Sequence, residues 1–142
     1  MLPSEPTGYL NPVLRNGTRY LLQFADGDAQ VSPVGSQVLA RGLDACCVDC
    51  VGGDFFGVPN CSSAELCSTR SVVTWVGVKG VPHGAASKNI PLPPNTNTHE
   101  CPRRIAILQD QIASFVQTSC AERVCEGECT VDCTGTPRFR PQ

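Results

Sequence analysis

The sequence predicts an α+β fold: a small antiparallel sheet and one long C-terminal amphipathic helix, cysteine-stapled, with extended termini. Three observations carry it. Apolar residues alternate around an Asp-Gly turn near residue 26, and a run of β-branched residues occupies 72–78. Apolar residues then recur every three or four positions from 105 to 115.

The 142 residues suit one domain. They divide into an N-terminal arm (1–13), a cysteine-rich domain (14–133) and a C-terminal tail (134–142). The apolar supply is thin, because Leu, Ile, Val and Phe together make 34 residues. Twenty-five glycines and prolines imply short elements and many loops. Ten cysteines then read as compensation for a modest core.

Residues 1–13 are polar and carry three prolines, as an extended arm would. In "TRYLLQFADGDAQVS", Tyr20, Leu22 and Phe24 alternate on one face, "ADGD" turns, and Ala29 and Val31 return, which predicts a hairpin. Asp26 and Asp28 are read as turn residues rather than calcium ligands, since no further carboxylate is close by. "SQVLARGLDACCVDC" predicts a short helix capped by Ser36, with Val38, Leu39 and Leu43 inward. Phe55 and Phe56 are expected to plug the core. "RSVVTWVGVKGV" is the strongest strand, with Trp75 inside a pleat buried on both faces. A polar connector of nearly twenty residues follows at 82–100.

The long helix is predicted over 102–126. Pro102 suits its first turn, and Ile105, Leu108, Ile112 and Phe115 form its apolar seam. Arg104, Gln111, Ser114 and Thr118 are assigned to the polar side. The heptad pattern lasts only two repeats, so the seam is expected to pack on the chain's own sheet rather than on a second helix.

The cysteines fall into two groups: Cys46, Cys47, Cys50, Cys61 and Cys67, then Cys101, Cys120, Cys125, Cys129 and Cys133. Each group is odd in number. Complete pairing therefore requires a bridge between them, fastening the strand-rich half to the C-terminal part. All ten are disulfide candidates, and sequence alone leaves their connectivity open. The alternative is zinc held by Cys47, Cys50, Cys61 and Cys67. Four thiolates around zinc carry net negative charge, and Asp44, Asp49 and Asp54 would oppose it, so disulfides are favoured. The same acidic neighbours would raise a thiol pKa, which disfavours redox catalysis through "CVDC".

Nothing in the chain matches a nucleophile elbow, a zinc-protease helix, a phosphate loop or a paired-carboxylate site. His83 lies in a Gly-Pro loop, and His99 lies beside Glu100 and Cys101. No catalytic residue is assigned. Asn16-Gly-Thr and Asn60-Cys-Ser match glycosylation sequons at about the frequency chance allows. The net charge of −2 and scattered arginines exclude a basic nucleic-acid stripe, and no apolar run is long enough to cross a membrane. The first residues lack the apolar core of a signal peptide.

Abundant cysteine without an export signal, arm-like ends and no catalytic constellation lead to one expectation. The chain should be a non-enzymatic structural subunit of an extracellular homo-oligomeric assembly, such as a virus or phage particle. Its partners would be copies of itself or other assembly subunits, and it would need no cofactor. A secreted disulfide-rich binding module with its signal removed is the second reading. A zinc-stabilised intracellular interaction domain is the third.

Overall fold

The computed structural model describes residues 17–28, 30–50, 57–82, 91–94, 96–125 and 129–134. Strand β1 (Leu21–Ala25) leads to helix α1 (Pro33–Gly42), strand β2 (Cys46–Cys50), strand β3 (Val72–Val78), helix α2 (Ala106–Thr118) and the short strand β4 (Thr130–Val131). Single 3-10 turns at Glu65–Cys67 and Pro102–Arg104 punctuate the loops. Helices and strands are thus mixed, as expected, but the sheet is parallel rather than antiparallel. β3 lies at its centre, pairing in parallel with β1, β2 and β4.

The main chain of β3 explains the strand order. The Val72 amide donates to Tyr20 O, and Val76 O accepts from the Asp26 amide, so even-numbered residues face β1. The Gly77 and Lys79 amides donate to Cys129 O and Val131 O, so odd-numbered residues face the other way. β4 therefore takes over the same edge of β3 that β2 occupies nearer its start.

The predicted hairpin does not form. Gly27 adopts φ +72°, but the chain that leaves the turn enters α1 instead of returning. A Cβ at Gly27 would lie 2.7 Å from Val81 Cγ1 and 2.8 Å from Leu92 Cδ2, so a glycine is required there on two counts. α1 begins earlier than expected, with Ser32 as its cap residue and Pro33 in its first turn. Ser36 is consequently interior to the helix. Leu39 and Leu43 pack inward as foreseen, whereas Val38 is exposed. Cys46–Cys50 is a strand rather than a helical extension, with a bulge between Cys47 and Asp49.

Each face of the sheet carries one helix. On the α1 side, Leu22 and Phe24 of β1 meet Val73 and Trp75 of β3, together with Leu39, Ala40 and Leu43. Phe24 and Trp75 stack with ring centroids 5.4 Å apart. On the α2 side, Val76, Val78 and Leu108 form one cluster, while Cys46, Val48, Val72 and Phe115 form another. Every residue of β3 is buried. A continuous apolar run of this kind is the mark of a parallel strand covered on both faces.

α2 spans 13 residues, about 20 Å, and not the whole of 102–126. Ser119 ends it in the left-handed region at φ 59°. Leu108 is fully buried, and Ile105 and Phe115 pack on the core. Ile112 is turned outward, 45 % exposed, and Gln111 takes the central inward position at 1 %. The polarity of Gln111 made it look like a surface residue. Its amide instead accepts from Thr74 Oγ1 (2.9 Å) and Gln23 Nε2 (2.7 Å) and donates to Glu122 O (2.8 Å). A fully bonded amide can be buried at little net cost.

The arm at 1–13, Phe55, Phe56, His83 and the tail beyond Thr134 lie outside the described residues. The described parts of the connector cap the strand ends. Leu92 packs on the second cluster, and Thr98 Oγ1 donates to Gly27 O at 2.8 Å.

Candidate functional site

The ten cysteines are placed in five bridges. Cys46–Cys61 anchors β2 to the following loop, and Cys47–Cys50 spans the bulge within β2. Cys101–Cys133 ties the start of the Pro102 turn to the chain after β4, and Cys125–Cys129 closes the loop before β4. Cys67–Cys120 joins the two halves over a separation of 53 residues. It is the single bridge between the two odd groups that complete pairing requires. Of the four cysteines of the zinc alternative, Cys47 and Cys50 are bonded to each other, Cys61 to Cys46 and Cys67 to Cys120. The five bridges fit an oxidising environment.

A cleft of about 470 Å³ runs along the outer edge of β1. Four consecutive β1 residues, Leu22 to Ala25, line it, and so do Leu39 of α1 and Ile112 of α2. Successive side chains of a strand point to opposite faces, so only an edge-on approach meets four in a row. The cleft is therefore the gap between the two helices at the strand that has no outer neighbour among the described residues.

Its far end is polar. His99 Nδ1 lies 2.9 Å from Asp28 Oδ2, and Asp28 Oδ1 accepts from the amides of Gln30 and Val31. Those two amide bonds fix the carboxylate ahead of α1, and the carboxylate in turn orients the imidazole. His99 Nε2 stands 3.9 Å from Glu100 Oε1, which also accepts from Arg103. Ser36 lines the same cleft, but no hydrogen bond links it to His99. Among the described residues, no side-chain nucleophile is hydrogen-bonded to the Asp–His pair. In the sequence His99 lies beside Glu100 and Cys101. Its partner lies 71 residues away, and only the fold shows it.

A second buried carboxylate, Asp49, sits on the α2 face. The Val124 amide donates to it at 2.7 Å, and Arg123 Nη1 is 3.7 Å away. Burial pushes its pKa above the usual carboxylate value, and the amide and Arg123 offset part of that. It secures the chain after α2 to β2 and has no access to the cleft.

The exposed large apolar residues gather on the helices. Val34 and Val38 are one turn apart on α1, and Ile112 and Val116 are one turn apart on α2, with Val116 75 % exposed. No described helix is long and apolar enough to cross a membrane. The chain matches no known family model, no curated protein and no solved structure.

Proposed function

We propose that this chain is a non-enzymatic structural subunit of an extracellular homo-oligomeric assembly, such as a virus or phage particle. The observation that carries the reading is the β1 edge, unpaired among the described residues and partly exposed over Leu21–Gln23, with its apolar cleft and the helices that leave Val34, Val38, Ile112 and Val116 in water. Apolar surface grouped in this way marks a contact surface more often than chance exposure does. The five bridges supply the covalent strength that a thin core cannot, in a setting that keeps thiols oxidised. Light scattering under non-reducing conditions tests the reading. A defined oligomer that dissociates on dilution supports it, and a monomer at every concentration rejects it.

A secreted binding module is the second reading, and the Asp28–His99 pair at the end of the cleft favours it, since a few fixed polar groups beside an apolar wall suit a ligand. The zinc-stabilised intracellular domain has no such support from the cysteine placement. Native mass spectrometry decides it by showing bound zinc.

A further inference from the structure

We infer that the outer edge of β1 receives residues 8–14 of a neighbouring copy, added as one more strand of the sheet; this rests on the homo-oligomeric reading above. The edge offers main-chain groups as well as apolar walls. Even-numbered residues from Tyr20 to Asp26 turn their main chain toward β3. The amides and carbonyls of Leu21 and Gln23 therefore point outward from partly exposed residues, and none of them bonds another described residue, whereas Ala25 is covered at 1 % exposure. An unpaired strand edge is a template for an extended segment.

The occupant is argued from the chain that lies ahead of the described fold. The described residues begin at Gly17, four positions before β1, and residues 1–16 precede it. Within them "GYLNPVL", 8–14, is uncharged and carries Tyr9, Leu10, Val13 and Leu14, which suits a cleft walled by Leu22, Leu39 and Ile112. Seven extended residues reach about 23 Å, against about 17 Å for the five of β1. Pro12 is acceptable on an edge strand if its ring faces away from the ladder.

Register selects a neighbour's segment over the chain's own. Gly17 has φ +77°, and Asn16-Gly17 would favour a two-residue turn. An arm folded back through that turn would direct its bonds to residues 18, 20 and 22. The main-chain groups of Tyr20 and Leu22 already serve β3. A segment from another copy is free of that constraint and can bond Leu21 and Gln23.

Residue-resolved hydrogen exchange and light scattering on the full chain, wild type and Leu10→Asp, test this. The amides of Leu22 and Phe24, held by β3, serve as internal controls for folding. The expected result is a wild-type oligomer whose Leu21 and Gln23 amides exchange slowly. Leu10→Asp should then be monomeric, with exchange at those two amides faster by roughly 100-fold and the controls unchanged. An oligomer whose size and Gln23 exchange survive Leu10→Asp overturns the inference and leaves the assembly reading standing. Protection that Leu10→Asp abolishes in a wild-type monomer assigns the edge to the chain's own arm and overturns the neighbour. A wild-type monomer with fast exchange at both amides removes the assembly reading and the inference with it.

Discussion

The indole Nε1–H of Trp75 donates to Asp26 Oδ1 over 3.1 Å, and both residues are almost fully buried. The bond joins the centre of β3 to the turn that ends β1. It lets a strand packed on both faces hold a large ring, because the ring's one polar atom is satisfied. The Trp75 ring also stacks on Phe24, so the aromatic pair and the carboxylate fix where β1 stops.

Trp75→Ala should therefore lower stability by about 3–5 kcal/mol, the usual loss for a buried tryptophan. Trp75→Phe keeps an aromatic ring against Phe24 but withdraws the donor from Asp26, and should cost less, about 1–3 kcal/mol. Denaturant unfolding of both variants checks the order. Equal losses would mean that the bond to Asp26, and not the aromatic contact, carries the effect.

Gln111 carries the second prediction. Its carbonyl oxygen accepts from Thr74 and Gln23, and its amide donates to Glu122 O. Gln111→Leu keeps a similar volume while leaving a buried hydroxyl and a carbonyl without their partner. The expected loss is about 1–3 kcal/mol, measured by urea unfolding. A neutral result would show that water replaces the amide.

These two residues also show what the sequence could and could not disclose. Trp75 sat in an unbroken apolar run, so its burial was legible from pattern alone. The same run signalled a parallel strand, since an antiparallel strand with one wet face would alternate. The Asp-Gly turn outweighed that signal and suggested a hairpin, although β1's partner lies about fifty residues downstream. Gln111 could not be placed from its own chemistry, because its burial depends on Gln23 and Thr74 arriving from two different strands. The helix end was hidden for a similar reason. Ser119 accepts a left-handed conformation beside the Cys67–Cys120 bridge, and no glycine marks the spot. The need for one bridge between the cysteine groups followed from parity, whereas its identity required the fold.

Acid should act through Glu65 and Asp132. The Ser62 amide and hydroxyl donate to Glu65, and Arg70 adds a third bond, lowering its pKa from 4.5 to about 2. The Thr134 amide, with Lys79, lowers Asp132 from 3.8 to about 2. Both folded values lie below the unfolded ones, so their stabilisation is complete above the ordinary carboxylate range and is lost as pH falls through about 2. Asp49 has the opposite sign. Burial raises its pKa, so its charged form opposes folding, and that penalty fades as pH falls through its folded value. Carboxylate titration by NMR checks all three. A Glu65 midpoint near 4.5 would mean that its bonds to Ser62 and Arg70 are not held in solution.

The redox state follows from the pairing of all ten cysteines. Alkylation of the folded protein without reductant should label few of the ten cysteines, and reduction should add a pair of hydrogens for each of the five bridges. Labelling of most thiols before reduction would reject the oxidised assignment.

Cys67–Cys120 should be the bridge whose loss destabilises most through chain entropy. It closes the longest loop, with a separation of 53, and the chain-entropy relation gives about 4 kcal/mol for that length, against less for separations of 3 or 4. A non-covalent clamp sits on the same junction. Arg19 donates to the carbonyls of Leu66 (2.8 Å), Arg70 (2.6 Å) and Ser119, and its guanidinium lies 5.0 Å from the Phe115 ring centroid. The bridge and the arginine thus hold the same two segments, one on either side of the joint at Leu66 and Ser119. Cys67→Ala with Cys120→Ala should leave Arg19 carrying the joint alone, and Arg19→Ala should leave the bridge alone. Because each can partly substitute for the other, removing both should cost more than the sum of the separate losses, by about 0.5–3 kcal/mol. Thermal and urea unfolding of the four-member cycle measures this. Strict additivity would mean that the two act on independent parts of the fold, and that the junction between the halves is held by the disulfide without help from Arg19.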